Sequence, residues 1–143
     1  MKKRIVSLRE LIVLVESINS HINYSKKTIL DIIKTFNQKN EVKLRVISEL
    51  IKAENENFSD EWNKTVKKFY LDDCLNKDDE NVLLSFGKAL GVTDVKGQDG
   101  NCRLHKTMLE KQLKDAEDKL REKLRVNTAL SFLLAVSVVI IFY

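Results

Sequence analysis

Apolar residues recur at three- and four-residue steps through most of this chain, which is the spacing of one face of an α-helix. The first stripe predicts a helix that ends near Tyr24 and consists of Ile5, Leu8, Ile12, Val15, Ile18 and Ile22. Ser25 is a suitable N-cap for a second helix, whose apolar face is Ile29, Leu30, Ile32, Ile33 and Phe36. A third helix is predicted from the face formed by Val42, Leu44, Val46, Ile47, Leu50 and Ile51.

The pattern continues into a fourth and a fifth helix. Ser59 is the expected start of the fourth, whose inward side chains are predicted to be Trp62, Val66, Phe69 and Tyr70. Asp78 is the expected N-cap of the fifth, and Gly91 stands where a left-handed residue commonly closes a helix. The apolar face of the fifth helix is Val82, Leu83, Phe86, Ala89 and Leu90.

A sixth helix is predicted from about Asp94 to the C-terminal tail. Gly97 and Gly100 weaken its first turns, since glycine costs about 1 kcal/mol relative to alanine inside a helix. Its apolar stripe is Leu104, Met108, Leu109, Leu113, Ala116, Leu120 and Leu124. This stripe either packs against the other helices or forms a coiled-coil seam in a homo-oligomer. We favour intramolecular packing, because only about three heptads are available.

The tail itself carries no charged side chain from residue 129 to residue 143, and the apolar run extends back to Val126. About 18 helical residues are roughly 27 Å long, against roughly 30 Å for the hydrocarbon core of a bilayer. A buried core helix is the alternative, but it usually keeps a polar stripe, and Thr128, Ser131 and Ser137 are few interruptions of the run. We therefore predict a membrane anchor made by Val126, Leu130, Phe132, Leu133, Leu134, Val136, Val138, Val139, Ile140, Ile141 and Phe142.

A basic collar immediately precedes the anchor. It consists of Lys119, Arg121, Lys123 and Arg125. Because positively charged flanks stay on the cytoplasmic side of a membrane, the collar predicts that the residues before it are cytoplasmic. As given, the chain crosses the bilayer once.

Composition limits the rest of the fold. Proline is absent and there are only four glycines in 143 residues, so the turn residues that a many-stranded sheet requires are scarce. We predict an all-α protein: a bundle of about six helices over residues 1–125, with the last helix running into a transmembrane segment at 126–143. The net charge of +4 is mild and its charges are interleaved, which argues against nucleic-acid binding.

Candidate chemistry is sparse. Cys102 and His105 are three residues apart and would share a helix face, but zinc needs three or four protein ligands and no second Cys/His pair is present. Nothing in the sequence pairs a serine or cysteine nucleophile with a base, and no phosphate-binding glycine loop occurs. We therefore expect no metal, no cofactor and no catalytic residue, although an enzyme with an unrecognised site is an alternative.

Several segments of the chain resemble the stage III sporulation protein AB family. The most specific is the L-x-x-F-G-x-x-L-G-x-x-D run, which is formed by Leu83, Phe86, Gly87, Leu90, Gly91 and Asp94. The segments Leu8-Arg-Glu-Leu11, His21-Ile-Asn-Tyr24 and Asp60-Glu-Trp62 follow the order of that family, so the resemblance covers most of the chain.

This resemblance implies a membrane component of the complex that joins mother cell and forespore during endospore formation. It further implies a soluble domain similar to the cytoplasmic helical domain of type II secretion platform proteins. By that fold-level analogy, the domain would lie in the mother-cell cytoplasm. It would dock a secretion-type ATPase similar to stage III sporulation protein AA, beside other membrane proteins of the complex. A generic tail-anchored adaptor is the alternative.

One departure from the family concerns the N-terminus. Family members usually begin with an apolar transmembrane helix before the Leu-Arg-Glu-Leu segment, whereas this sequence starts at Met1-Lys-Lys-Arg. Either the true start lies upstream, and the family's two-pass topology holds, or this version is single-pass. In the first case Lys2, Lys3 and Arg4 would be a second cytoplasmic flank.

Overall fold

The computed structural model describes residues 1–24, 31, 34, 58–69, 75–90 and 95–142. Four α-helices have defined bounds in these ranges: α1 (Lys2–Tyr24), α2 (Phe58–Phe69), α3 (Lys77–Ala89) and α4 (Val95–Phe142). No β-strand occurs in the part of the chain that the structure describes. The all-α class is thereby confirmed. The six-helix count is not, because the predicted second and third helices lie outside the described residues.

Helix α1 ends at Tyr24, as its apolar stripe predicts. The buried face is wider than that stripe, since Leu11 and Leu14 are buried as completely as Leu8 and Ile18. The predicted face is incomplete in this respect, because it omits Leu11 and Leu14, while Ile12 and Ile22 are partly buried and packed at the margin of the core. A broad apolar band of this kind is typical of a helix that packs into a globular core rather than against one partner helix.

Helices α1 and α4 run antiparallel, as the polar contacts between them show. Asn19 donates a hydrogen bond to Asp99 near the start of α4 (3.0 Å), while Arg9 bonds Glu117 eighteen residues further along α4 (2.6 Å). Along α4, Leu109 and Ala116 are buried and Leu113 and Leu120 are packed on the core. Intramolecular packing of the predicted stripe is therefore confirmed at these four positions, and it is wrong at Leu104, Met108 and Leu124, which are exposed.

Helix α3 begins two residues earlier than the sequence predicts. Its N-cap is Asn76, which accepts from the backbone N–H of Asp79, while the Asp79 carboxylate accepts from the backbone N–H of Asn76 (2.9 Å each). The predicted cap at Asp78 is wrong, because only the Asn76–Asp79 pair satisfies both free N–H groups reciprocally. At the other end Leu90 donates its backbone N–H to Phe86, and Gly91 lies outside the described residues.

Helix α4 is the longest element, with 48 residues, or about 72 Å of helix. It starts beside the predicted Asp94, which is outside the described residues, and passes through Gly97 and Gly100 without a break. It also continues through residues 125 and 126, where the sequence suggests a domain boundary. One helix thus connects the core of the bundle to the apolar C-terminal segment.

Candidate functional site

The C-terminal part of α4 presents its apolar side chains on every side. All eleven predicted anchor residues are exposed, including Phe132 at 69%, Ile140 at 73% and Phe142 at 85%. An 18-residue window of this helix has a mean hydropathy of 2.1, and none of it is buried. The segment is therefore not a core helix, and it is long and apolar enough to cross a membrane.

The three hydroxyl groups in this segment are satisfied by the helix itself. Thr128, Ser131 and Ser137 each donate to the carbonyl oxygen four residues earlier, at 2.8–2.9 Å. Polar groups in hydrocarbon must find partners within the protein, and this bonding pattern supplies one for each hydroxyl. These three hydroxyl groups are consequently compatible with a spanning helix.

The four collar residues are all exposed on α4, but they do not act as one group. Arg121 lies beside a groove between α1 and α4, together with Lys2 of α1. The other three collar residues, Lys119, Lys123 and Arg125, do not line this groove. The structure therefore gives Arg121 a neighbour from the N-terminal end of the chain, which sequence spacing cannot show.

The family-like motif forms a socket for a tryptophan. Trp62 of α2 is fully buried, donates its indole N–H to the carbonyl oxygen of Leu83 (2.7 Å), and meets the Phe86 ring edge-on with centroids 5.9 Å apart. A Cβ atom at Gly87 would lie 2.0 Å from Cδ1 of Trp62. Glycine is thus required at position 87, because the indole ring rests against the bare backbone of α3.

Two other motif residues complete this interface, and two cannot be placed. Leu83 and Leu90 are buried in the core, whereas Gly91 and Asp94 lie outside the described residues. Of the described motif positions, none presents a reactive group. The motif is accordingly a packing element that joins α2 to α3.

His105 of α4 extends the same packing cluster. Its ring lies 5.3 Å from the Phe86 ring, and its Nδ1 lies 2.9 Å from the carbonyl oxygen of Asn101. Since a carbonyl oxygen only accepts, Nδ1 donates to it, and Nε2 lies 2.8 Å from the Ser85 hydroxyl, which donates to the carbonyl oxygen of Val82 at 2.9 Å. Ser85 lies within α3, where the backbone N–H groups are held by helical hydrogen bonds. They therefore cannot serve as an oxyanion hole.

Cys102 lies in the core and is only 1% exposed. Burial raises the pKa of its thiol to about 11, and the charge of Asp99 acts in the same direction. At neutral pH the thiol is protonated, which makes it a poor nucleophile and a poor metal ligand. In the described ranges no three His, Cys, Asp or Glu side chains are grouped as a metal site.

A buried ion pair is the main feature that the sequence does not reveal. Arg4 of α1 donates two hydrogen bonds to the Asp79 carboxylate of α3 (2.7 and 2.9 Å) and a third to Gln112 of α4 (2.9 Å). The bond to Asp79 raises the pKa of Arg4, despite the opposing effect of burial. Arg4 therefore ties three helices together, and the Asn-x-x-Asp capping spacing at residue 79 is the only sequence signal near it.

The comparison with family models is decisive for the identity of the chain. The stage III sporulation protein AB model matches residues 1–143, the whole sequence. The chain belongs to the stage III sporulation protein AB family. The resemblance to this family that the sequence suggests is thereby confirmed. Of the motif residues, Leu83, Phe86 and Gly87 form the Trp62 socket in the structure.

A solved structure of Stage III sporulation protein AB has the same fold. It superposes with a TM-score of 0.70 and 23% sequence identity, and the match covers 83% of this chain and 97% of that one. At this identity the similarity establishes the fold alone. No curated protein sequence matches the chain.

Proposed function

We propose that this member of the stage III sporulation protein AB family is a non-enzymatic scaffold that is anchored in the membrane by residues 126–143. It would belong to the complex that joins mother cell and forespore. Its helical bundle would lie in the mother-cell cytoplasm and dock a secretion-type ATPase similar to stage III sporulation protein AA. The observation that carries the proposal is the unbroken α4 helix, which joins a packed bundle to an exposed apolar segment.

The chemistry of the described residues supports a binding role rather than catalysis. The buried cysteine is held as a thiol, and the histidine of α4 is engaged by Asn101 and Ser85. The family motif contributes packing. What the bundle offers is a rigid surface at a fixed place next to a bilayer, which is what a scaffold requires.

Co-purification tests the docking. The full chain is expressed with a tagged stage III sporulation protein AA-like ATPase, the membranes are solubilised in mild detergent, and retention on the tag is measured. A variant in which residues 126–143 are replaced by an unrelated spanning helix serves as the matched control, and we expect it to retain the ATPase. Trp62→Ala should weaken retention while membrane fractionation is unchanged, because it loosens α2 from α3.

The proposal would be abandoned if the ATPase were not retained and deletion of the protein left endospore formation untouched. Loss of retention on replacing the spanning helix would move the docking site from the bundle into the bilayer. A measurable turnover that disappears on mutation of His105 or Cys102 would instead favour the enzyme alternative.

A further inference from the structure

A groove of about 500 Å³ lies between α1 and α4, at the end of the bundle where α4 leaves towards the predicted bilayer. Each helix contributes residues at steps of three and four, so the groove follows one face of each helix. Its volume is in the range of pockets that hold small ligands, which is roughly 300–1,000 Å³.

The floor of the groove is apolar. Ile5 is buried and Leu120 is partly buried against the core, while Val6 and Leu124 open towards the outside at 54% and 53% exposure. The apolar surface therefore continues from the core of the bundle to the last turns before the anchor. An apolar surface of this kind suits a hydrocarbon chain better than water.

The rim of the groove is basic. Lys2 and Arg121 flank it, and the one acidic side chain that lines it, Glu117, is paired with Arg9 at 2.6 Å. The two cationic side chains at the rim favour an anionic ligand, because a cleft lined by one sign of charge attracts the opposite sign.

The groove also lies at the depth of lipid headgroups. Along α4, Leu124 is about 3 Å and Arg121 about 7.5 Å before Val126, where the apolar segment begins. The polar headgroup layer occupies roughly 5–8 Å on each side of the hydrocarbon core. Leu124, at one end of the floor, is thus next to the acyl chains, and Arg121 is level with their phosphates.

We propose that this groove binds one anionic phospholipid, with an acyl chain on the apolar floor and its phosphate between Lys2 and Arg121. The proposal rests on the membrane anchorage proposed above, and it does not depend on the docking of an ATPase. The lipid would fix the N-terminal end of α1 against the bilayer and so hold the bundle in one orientation.

Native mass spectrometry of the full chain in an uncharged detergent tests this site. Dioleoyl phosphatidylglycerol, dioleoyl phosphatidylcholine and inorganic phosphate are titrated separately. We expect one phosphatidylglycerol per chain, with phosphatidylcholine and phosphate binding far more weakly. Lys2→Gln with Arg121→Gln should raise the apparent dissociation constant about 25-fold, because each cationic side chain near a lipid surface contributes about a factor of five.

The matched control is Lys119→Gln with Lys123→Gln, which removes the same charge from collar positions that do not line the groove. We expect this pair to leave the dissociation constant nearly unchanged. Equal losses in the two double variants would show a diffuse surface charge and overturn the proposal. Equal binding of phosphatidylcholine, or of phosphate alone, would overturn it as well.

The apolar floor has its own control. Val6→Ser should weaken lipid binding, whereas Val13→Ser, at an exposed position two turns along the same helix and away from the groove, should not. A dimer that dissociates on Val6→Ser would identify a second copy as the occupant and overturn the lipid site. Circular dichroism of each variant confirms that it is folded, and carbonate extraction reports separately whether the anchor itself is intact.

Discussion

Gly87→Ala is the change that tests the Trp62 socket most directly. In an ordinary exposed helix this substitution stabilises, because alanine has the higher helix propensity by roughly 1 kcal/mol. In α3 the new Cβ atom would lie 2.0 Å from Cδ1 and 2.6 Å from Nε1 of the buried Trp62 ring. Carbon atoms normally approach to about 3.5–4.0 Å, so the ring must retreat by about 1.5 Å.

That displacement determines the magnitude of the effect. The 2.7 Å bond from the indole N–H to the Leu83 carbonyl oxygen would exceed hydrogen-bond range, leaving a buried donor unpaired at about 1–3 kcal/mol. Overpacking of a fully buried site costs about 1–3 kcal/mol more. After the gain from helix propensity, we expect the free energy of unfolding to fall by roughly 3 kcal/mol.

Urea unfolding of the full chain in detergent, followed by far-ultraviolet circular dichroism, measures this difference. Gly100→Ala is the control, because no heavy atom lies within 4 Å of its added Cβ and the residue is exposed on α4. It should raise the free energy of unfolding by about 0.5–1 kcal/mol. In a Trp62→Ala background, Gly87→Ala should also cease to destabilise.

The reasoning about the socket would be refuted if Gly87→Ala unfolded at the same urea concentration as Gly100→Ala. It would equally fail if Gly87→Ala cost the same free energy with and without the Trp62 ring. Either result would mean that the indole does not rest on the bare backbone of α3. The family motif would then need another explanation.

Three further predictions concern the ion pair, the thiol and the anchor. Asp79→Ala leaves the Arg4 guanidinium uncompensated and should lower the free energy of unfolding, measured in urea, by about 3 kcal/mol. The double variant Arg4→Met with Asp79→Leu should lower it much less. Equal losses in the two variants would contradict a buried ion pair. Cys102 has a pKa of about 11, so roughly one thiol in a thousand is ionised at pH 8 in the folded protein. Iodoacetamide should therefore alkylate Cys102 at least a hundredfold more slowly in the folded protein than in urea, as measured by peptide mass spectrometry. Equal rates in the two conditions would contradict burial of the thiol. Leu134→Arg adds about 3 kcal/mol to the free-energy cost of membrane insertion. It should therefore increase the fraction of protein that alkaline carbonate extracts from membranes, whereas Met108→Arg should not. Unchanged extraction of both variants would argue against a membrane-spanning helix.

The sequence predicts the helices best where the apolar residues keep a helical spacing over many turns, because that spacing also shows which side chains are buried. The end of α1 at Tyr24 and the burial of Trp62 and Val66 are of this kind. The start of α3 is harder, because Asn76, Asp78 and Asp79 are all good capping residues. The choice among them depends on which side chain meets its reciprocal partner.

Long-range contacts account for most of what the sequence does not predict. Arg4 and Asp79 are 75 residues apart, and charged residues are normally assigned to the surface. Gly87 is recognisable as a motif position, but the requirement for glycine there comes from the Trp62 ring of α2, twenty-five residues away. The groove similarly lies between the first turns of α1 and the middle of α4, which only the tertiary fold brings together, so no local sequence pattern predicts it.

Because α4 is unbroken, a change in its tilt moves the two ends of the helix by different amounts. No glycine or proline interrupts the chain after Gly100, so the helix has no hinge residue between the bundle and the bilayer. The part of α4 from Val95 to Arg125 is about 46 Å long, so a tilt of about 20° moves its far end sideways by about 16 Å. In the proposed membrane-anchored arrangement, a small rotation of the C-terminal segment would produce a large displacement of the bundle, and a force on the bundle would be transmitted to the bilayer.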